Sequence, residues 1–234
     1  MQMLTDYQRN HVLKALSALA KFLGIHDYFR MLVRNYGIKW AGKPSEDLLI
    51  ERLTRTLNGG DLAMWVGEVK AALPEFSTFI DLTASTGLRF EETITAWNLI
   101  IDLSGQGRLN EYYNAEKEAL EHFQFKDLFI RRSKKAFISF VSGDFVQKIA
   151  EGDKTDRNVI NCKLKRRELR ARFSDLREYY ASVMTKYLRQ PEIDFLQGRM
   201  STSVFMRNYF NPAWISDLKS RALQGAQELL ATLT

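Results

Sequence analysis

Apolar residues return every three or four positions along most of this chain, and only one short stretch has the composition of a β-hairpin. The helical spacing is clear between residues 12 and 23 and again in 163–188, which predicts a long amphipathic helix or a pair of helices there. Residues 129–131 and 136–141 are rich in β-branched and aromatic side chains, and they flank 132–135, which is typical of a hairpin turn. The pattern predicts an α+β fold that is predominantly helical and has a small antiparallel sheet.

The hydrophobic stripes are large enough to form a core. The chain has 234 residues, of which 45% are hydrophobic and 12% are aromatic, and this suffices for one large domain or two smaller ones. The stripe nearest the N-terminus consists of Val12, Leu16, Leu19 and Leu23. We expect the Leu and Phe stripes, this one included, to be buried.

Basic residues outnumber acidic ones. The chain carries 34 Lys and Arg against 28 Asp and Glu, so its formal net charge is +6 and its sequence pI is near 9.3. Such an excess suits a polyanionic partner, with nucleic acid first and an acidic membrane surface second, although a solvated basic surface is nearly as common.

Cysteine and histidine are too sparse for several kinds of site. Cys162 stands alone, which excludes an intrachain disulfide framework and a Cys-rich zinc site. The three histidines, at 11, 26 and 122, are far apart and lack metal-ligand spacing, so we expect them to be structural. The N-terminal stretch has neither a signal-peptide core nor an apolar run of membrane length. We therefore expect no metal, no membrane contact and a cytoplasmic location.

Several basic residues stand next to breaks in the helical pattern. Arg89 follows a glycine at a helix start, Arg177 lies inside the long helical stretch, and Arg199 follows the Gln197-Gly198 break, with Tyr209 further on. Guanidinium groups bind phosphate by two parallel hydrogen bonds, and lysine supplies a mobile charge and a proton. The hairpin turn carries Lys134 and Lys135. Without a metal constellation, a nucleophile acting on a phosphodiester would be a side chain, and tyrosine is the candidate.

Three of these segments resemble sequence motifs of the tyrosine recombinase (phage integrase) family. Residues 86–92, Thr-Gly-Leu-Arg-Phe-Glu-Glu, are similar to its TGLRxxE motif, and 174–182 resemble its HxLRHxFAT box. Residues 196–199, Leu-Gln-Gly-Arg, followed by Tyr209, resemble its LGH box and nucleophile. The order of the three segments agrees with the family. In lacking the family's histidines, the sequence resembles the archaeal branch, the integrases of fuselloviruses and related plasmids.

The resemblance implies a domain organisation. Residues 1–44 would be the end of a helical core-binding domain that contacts DNA, together with a linker. Residues 45–212 would form the catalytic domain. Residues 213–234 would be a C-terminal helix, which either docks on a neighbouring protomer or packs on its own domain.

The resemblance also implies catalytic roles. Tyr209 would attack the scissile phosphorus and form a 3′-phosphotyrosine link. Arg89 and Arg177 would hold the nonbridging oxygens, with Arg199 as a third oxygen ligand. Lys134 would protonate the leaving 5′ oxygen. No cofactor would be needed, since the bond energy is kept in the ester.

Three further residues complete the implied site. Glu92 would orient the arginine three positions before it through an ion pair. Lys135 is the alternative general acid, because alignment across a turn is uncertain by a residue. Ser174 stands where the family usually has His or Lys, and it is a poor base at neutral pH.

The implied partner is duplex DNA carrying an att-like site, bound by a tetramer in the synaptic complex inside the host cell. Positions expected to contact DNA phosphates are Lys39, Lys43, Arg132, Lys163, Lys165 and Arg166. Two other functions stay open from the sequence. One is DNA relaxation of the type IB topoisomerase kind, and the other is a DNA-binding remnant of a recombinase that no longer cleaves.

Overall fold

The computed structural model describes residues 4–39, 45–56, 60–131, 134–199, 208 and 210–233. The chain forms two compact units, Met1–Gly59 and Gly60–Thr234. The first unit therefore includes the helix that begins at Ser45, whereas the resemblance assigns residues 45–212 to the catalytic domain. That domain boundary stays a prediction.

The first unit contains three helices, α1 (Asp6–Phe22), α2 (His26–Asn35) and α3 (Ser45–Thr56). A capping box opens α1, in which Gln8 N–H donates to Thr5 Oγ1 and Thr5 N–H donates to Gln8 Oε1. Gly24, at φ +70°, ends the α1 segment and lets α2 fold back on it.

The face of α1 that packs against α2 differs from the one expected. Leu13, Ser17 and Ala20 are buried, whereas the stripe of Val12, Leu16, Leu19 and Leu23 is 38–56% exposed. The prediction that this stripe is core is wrong for the described structure. The reason is that α2 packs against the neighbouring face of α1, where Ser17 is hydrogen-bonded to His26.

The second unit is mainly helical. Its helices are α4 (Gly60–Ala72), α5 (Ser77–Thr86), α6 (Phe90–Gly105), α7 (Lys126–Phe129), α8 (Gly143–Ala150), α9 (Arg157–Arg166), α10 (Phe173–Met184), α11 (Gln190–Leu196) and α12 (Leu218–Thr232). Short 3₁₀ turns lie at Pro74–Phe76, Leu109–Glu111, His122–Phe125 and Pro212–Trp214. Helix α5 lies among the others and packs against α4, α6, α8, α10 and α12.

The sheet of this unit has three two-residue strands, β1 (Tyr113–Asn114), β2 (Ala119–Leu120) and β3 (Ser139–Phe140). They pair antiparallel in the order β1-β2-β3, with Ala119 opposite Phe140 and Leu120 opposite Ser139. The predicted fold class, predominantly helical α+β with a small antiparallel sheet, is confirmed.

The predicted hairpin is correct only at its turn. Ile130 and Lys135 form a single antiparallel bridge, and Arg131 N–H donates to the carbonyl of Lys134 at 2.8 Å. Phe129 ends helix α7 instead of forming a strand, and β3 pairs with β2. A two-residue strand such as β2 is too short to leave an alternating pattern in the sequence.

The long helical stretch predicted for 163–188 is a pair of helices, α9 and α10. Helix α9 begins at Arg157, six residues before the predicted stretch, because Asp156 Oδ1 accepts hydrogen bonds from the N–H groups of Asn158 and Val159 at 2.7 and 2.9 Å. Glu168, at φ +59°, lies between the two helices.

An aromatic cluster joins α5, α6 and α10. Phe79 is fully buried, and its ring makes edge contacts with Phe90, Trp97 and Phe173 at centroid distances of 5.7–6.1 Å. Phe90 stacks on Phe173 at 4.0 Å. Because Phe90 opens α6 and Phe173 opens α10, the cluster fixes the start of each helix relative to the other.

Helix α12 packs on its own unit. Leu218 and Leu229 are buried, and a Cβ at Gly225 would lie 2.5 Å from the sulfur of Met184 in α10. Arg221 donates two hydrogen bonds to Glu192, at 2.8 and 2.9 Å, and so ties α12 to α11. Of the two arrangements left open by the sequence, the single chain adopts packing on its own domain, and exchange with another protomer stays a prediction.

Candidate functional site

The turn between α5 and α6 is pressed against two later segments of the chain. Gly87 ends α5 at φ +60°, and its N–H donates to the carbonyl of Thr83 at 3.1 Å. A Cβ at this position would lie 2.4 Å from the ring of Tyr180 and 2.9 Å from Nε2 of Gln197. Glycine is therefore required both for the backbone conformation and for the close approach.

This turn places Arg89 at the start of α6 beside a buried carboxylate. Arg89 Nη1 donates to Glu92 Oε1 at 2.7 Å, and the backbone N–H of Arg89 donates to Glu92 Oε2 at 3.0 Å. Glu92 is 1% exposed, while the side chain of Arg89 is 26% exposed. The expected ion pair is present, and it fixes a guanidinium that still reaches solvent.

Arg177 connects two other segments from inside α10. It is 9% exposed, and its Nη1 donates to the carbonyl of Gly87 at 2.5 Å while its Nη2 donates to the carbonyl of Gln197 at 2.6 Å. The three segments that carry the sequence motifs thus meet at this one side chain. A guanidinium has five N–H groups, so three remain beyond these two bonds.

The positive charges of Arg89 and Arg199 act on Arg177. The pKa of Arg177 is lowered to about 10 by burial first, and then by the positive charges of Arg89 and Arg199, with Glu92 acting in the opposite direction. Arg177 stays charged at neutral pH. The charges of Arg89 and Arg199, which add to the effect of burial, form an environment that stabilises a bound oxyanion.

The hairpin turn lies directly on the segment of Arg199. Gly198 has φ +62°, and a Cβ there would lie 1.4 Å from the carbonyl oxygen of Lys135. Arg199 itself is exposed, and its backbone N–H donates to the carbonyl of Asp194 at 2.7 Å. The structure therefore places the turn that carries Lys134 and Lys135 next to the three motif segments that meet at Arg177.

Both candidate lysines of the turn belong to this cluster of segments. Lys134 is exposed and Lys135 is half-buried, and neither has an ion-pair partner among the described residues. The backbone of Lys135 makes the contact with Gly198. The choice between the two as general acid stays open.

Three of the predicted site residues lie outside the described residues, namely Tyr209, Lys43 and Arg132. Ser174 is described, and it is exposed in the first turn of α10, where its hydroxyl donates to Asp175 at 3.4 Å. This position one turn before Arg177 matches the motif spacing.

The predicted phosphate contacts on α9 differ in their availability. Lys165 and Arg166 are exposed. Lys163 donates to Glu75 Oε1 at 2.9 Å and lies over the ring of Phe76 at 5.0 Å, so part of its charge is already neutralised. Lys165 and Arg166 are thus the better positioned of the three.

The first unit carries a basic groove that sequence reasoning recognised only in part. Its volume is about 540 Å³, and its lining includes Lys21, Arg30, Arg34 and Lys39. None of these four cations forms an ion pair within the described parts of the chain. Only Lys39 was expected to contact phosphate, although the spacing of the two arginines, four residues apart on α2, is the signal that would have revealed the rest.

Sequence reasoning also missed Gln197 and the packing role of Gly198. The side chain of Gln197 is fully buried, and its Nε2 donates to the backbone carbonyl of Arg177 at 2.9 Å. A lone glutamine carries no recognisable sequence signal, because its role depends on which carbonyl lies opposite.

Within the described residues, no group of three or more His, Cys, Asp or Glu side chains is arranged to hold a metal ion. None of the described helices combines the length and the apolar character needed to cross a membrane.

The chain matches no known family model, no curated protein and no solved structure in the comparisons made. The site is therefore characterised by its geometry alone. It consists of the partly exposed Arg89, the buried Arg177 and the exposed Arg199. The turn that carries Lys134 and Lys135 contacts Gly198, the residue before Arg199.

Proposed function

We propose that this chain is a site-specific DNA recombinase of the tyrosine recombinase type, which cuts and rejoins duplex DNA to integrate or excise a mobile genetic element of an archaeal virus or plasmid. The observation that carries the proposal is the pair of hydrogen bonds from Arg177 to the carbonyls of Gly87 and Gln197. These bonds join three motif segments that are far apart in sequence.

The first chemical step in this proposal is an in-line displacement at phosphorus. Tyr209 releases its phenolic proton to solvent, the phenolate oxygen forms a bond to the scissile phosphorus, and the bond from phosphorus to the 5′ oxygen breaks. Arg89, Arg177 and Arg199 stabilise the charge that develops on the nonbridging oxygens, and removal of one such donor costs roughly 10²–10³ in rate. Lys134, or Lys135 in its place, gives a proton to the departing 5′ oxygen.

The second step reverses the first on another strand. The 5′ hydroxyl of a second DNA end attacks the phosphotyrosine ester and gives its proton to the lysine, and the tyrosine leaves as a phenolate that takes up a proton from solvent. One ester replaces another at each step, so the reaction as written consumes no nucleotide cofactor. In this account the partner is duplex DNA with an att-like site, four protomers form the synaptic complex, and the protein acts on DNA inside the host cell.

A suicide-substrate assay tests the proposal. A nicked, labelled duplex carrying a candidate att core is incubated with the protein, and covalent complexes are separated on a denaturing gel. We expect an adduct that is absent in Tyr209→Phe and retained in Tyr36→Phe, an exposed tyrosine in the first unit. An adduct that persists in Tyr209→Phe would assign the nucleophile elsewhere.

A DNA-binding remnant that no longer cleaves is the second candidate. It is favoured by one observation, that Ser174, where the family usually has His or Lys, is exposed and donates its hydroxyl to Asp175. Salt-sensitive binding with no adduct on any core sequence would support it over the recombinase. Relaxation of a supercoiled plasmid that lacks an att core would instead indicate topoisomerase-like activity.

A further inference from the structure

Gln197 and Arg177 hold each other through two hydrogen bonds that run in opposite directions. Arg177 Nη2 donates to the backbone carbonyl of Gln197 at 2.6 Å, and Gln197 Nε2 donates to the backbone carbonyl of Arg177 at 2.9 Å. One bond restrains the end of the guanidinium, and the other restrains the backbone from which the side chain starts. Both ends of the arginine are therefore fixed by one residue.

The glutamine is not needed to satisfy a polar group. The carbonyl of Arg177 lies inside α10, where the helix itself supplies an N–H donor. The amide brings a buried acceptor, Oε1, that has no hydrogen-bond partner among the described residues. Leaving such an acceptor unpaired is unfavourable, so an apolar residue of similar size would be expected to favour stability.

The orientation of the amide is determined by its surroundings. If the amide were turned over, Oε1 would face the carbonyl of Arg177, and two acceptors would oppose each other. The side of the amide that carries Nε2 also lies against Gly87, whose absent Cβ leaves room for it at 2.9 Å. The glutamine thus contacts both the arginine and the turn whose carbonyl accepts from the same guanidinium.

We propose that Gln197 is the positioning residue for Arg177, which holds the guanidinium where it acts on the same oxyanion as Arg89 and Arg199. The inference rests on the proposed function, because the oxyanion is taken to be the scissile phosphate. A displacement of about 1 Å in a group that contacts the reacting atoms can cost on the order of 100-fold in rate. The buried, unpaired oxygen is then the cost in stability of holding the arginine in one place.

The test compares Gln197→Met, which keeps the length of the side chain and removes the amide, with the unmodified protein. We expect the single-turnover cleavage rate on the suicide substrate to fall on the order of 10- to 100-fold, while affinity for the same DNA changes less than about threefold. Gln147→Met, at an exposed position of α8, is the matched control and should leave both unchanged.

Two further readouts separate positioning from a general loss of structure. In an Arg177→Lys background, followed over hours, Gln197→Met should change the rate less than about threefold, because the residue acts through that guanidinium. Gln197→Glu should be impaired at neutral pH and recover as the pH falls, because only a protonated carboxyl can donate to the carbonyl of Arg177.

Each result of these experiments either supports or contradicts the positioning role of Gln197. Equal losses in both backgrounds, a flat pH profile for Gln197→Glu, or an unchanged rate in a folded Gln197→Met would overturn the inference. If the Met variant does not fold, the pH profile of the Glu variant carries the test. If the unmodified protein forms no adduct, the proposed function fails, and the affinity for inorganic phosphate in place of the cleavage rate still tests the position of Arg177 in the same variants.

Discussion

The carbonyl oxygen of Lys135 occupies the space that a side chain at Gly198 would need. A Cβ on Gly198 would lie 1.4 Å from that oxygen, which is a distance found only between bonded atoms. The turn that carries the two candidate lysines is thus in direct backbone contact with the residue before Arg199. The position of the turn depends on glycine at 198.

Gly198→Ala should therefore cost more stability than its backbone conformation alone explains. Gly107 is the matched control, because its φ of +68° is similar to the +62° of Gly198 and no atom lies within 4 Å of the Cβ position. We expect Gly107→Ala to cost about 1–2 kcal/mol from the left-handed conformation. The overlap at Gly198 should add about 1–3 kcal/mol more. Urea unfolding of both variants measures the difference, and equal losses would show that the contact is not made.

Removal of Arg221 should destabilise the second unit strongly. Glu192 is 1% exposed, and its pKa is lowered mainly by the hydrogen bonds from Arg221, so Arg221→Ala would leave a buried carboxylate without its charge partner. We expect a loss of about 3–5 kcal/mol in the free energy of unfolding, most of it restored by adding Glu192→Gln. Arg108→Ala, which breaks an exposed pair with Glu111, should cost far less. A small loss in Arg221→Ala would contradict the role of Arg221 in holding α12.

Acid should destabilise the protein through His122. This side chain is fully buried between Tyr112 and Ser139, at 2.7 and 2.9 Å, and burial lowers its pKa to about 3. The ordinary pKa of histidine is about 6.5, so between pH 6.5 and 3 the unfolded chain binds a proton that the folded chain does not. Stability should therefore fall with falling pH in this window by about 1.4 kcal/mol per unit from this group alone. Unfolding measured at several pH values should show a smaller slope in His122→Gln, and identical slopes would refute the assignment.

The basic groove of the first unit should contribute to binding of DNA. Arg30→Ala and Arg34→Ala should each weaken affinity for duplex DNA of any sequence and reduce the slope of log affinity against log salt by about 0.9. The reason is that each removes one cation that lacks an ion-pair partner in the described structure. Arg108→Ala is the control, since that arginine already pairs with Glu111. An unchanged salt slope would place the DNA elsewhere.

Local sequence signals predicted the helices and the turn of the candidate site. Glycine at 87 and 198 marks the positions where a left-handed conformation is needed, and the bridge between Ile130 and Lys135 lies within one residue of the predicted turn. The ion pair between Arg89 and Glu92 follows from their spacing on a helix. These features depend on residues close together in the chain, which is why sequence alone could reach them.

Contacts between residues far apart in the chain could not be predicted from the sequence in the same way. The strand partner of β3 is a pair of residues with no periodic pattern, and the buried face of α1 is decided by where α2 packs. The role of Gln197 depends on a carbonyl twenty positions earlier in the chain. The order of the motifs predicted that the segments belong together, and the structure adds which backbone atoms hold them.

The most direct test of the account is to identify the residue that becomes attached to DNA. The covalent complex formed on a suicide substrate is digested with protease and nuclease, and the peptide that carries the remaining phosphate-linked nucleotide is identified by mass spectrometry. The account predicts that this nucleotide is attached to Tyr209 and that the rate of its attachment falls on the order of 10²–10³ in Arg177→Ala. A nucleotide attached to another residue, or attachment that does not depend on Arg177, would contradict the account.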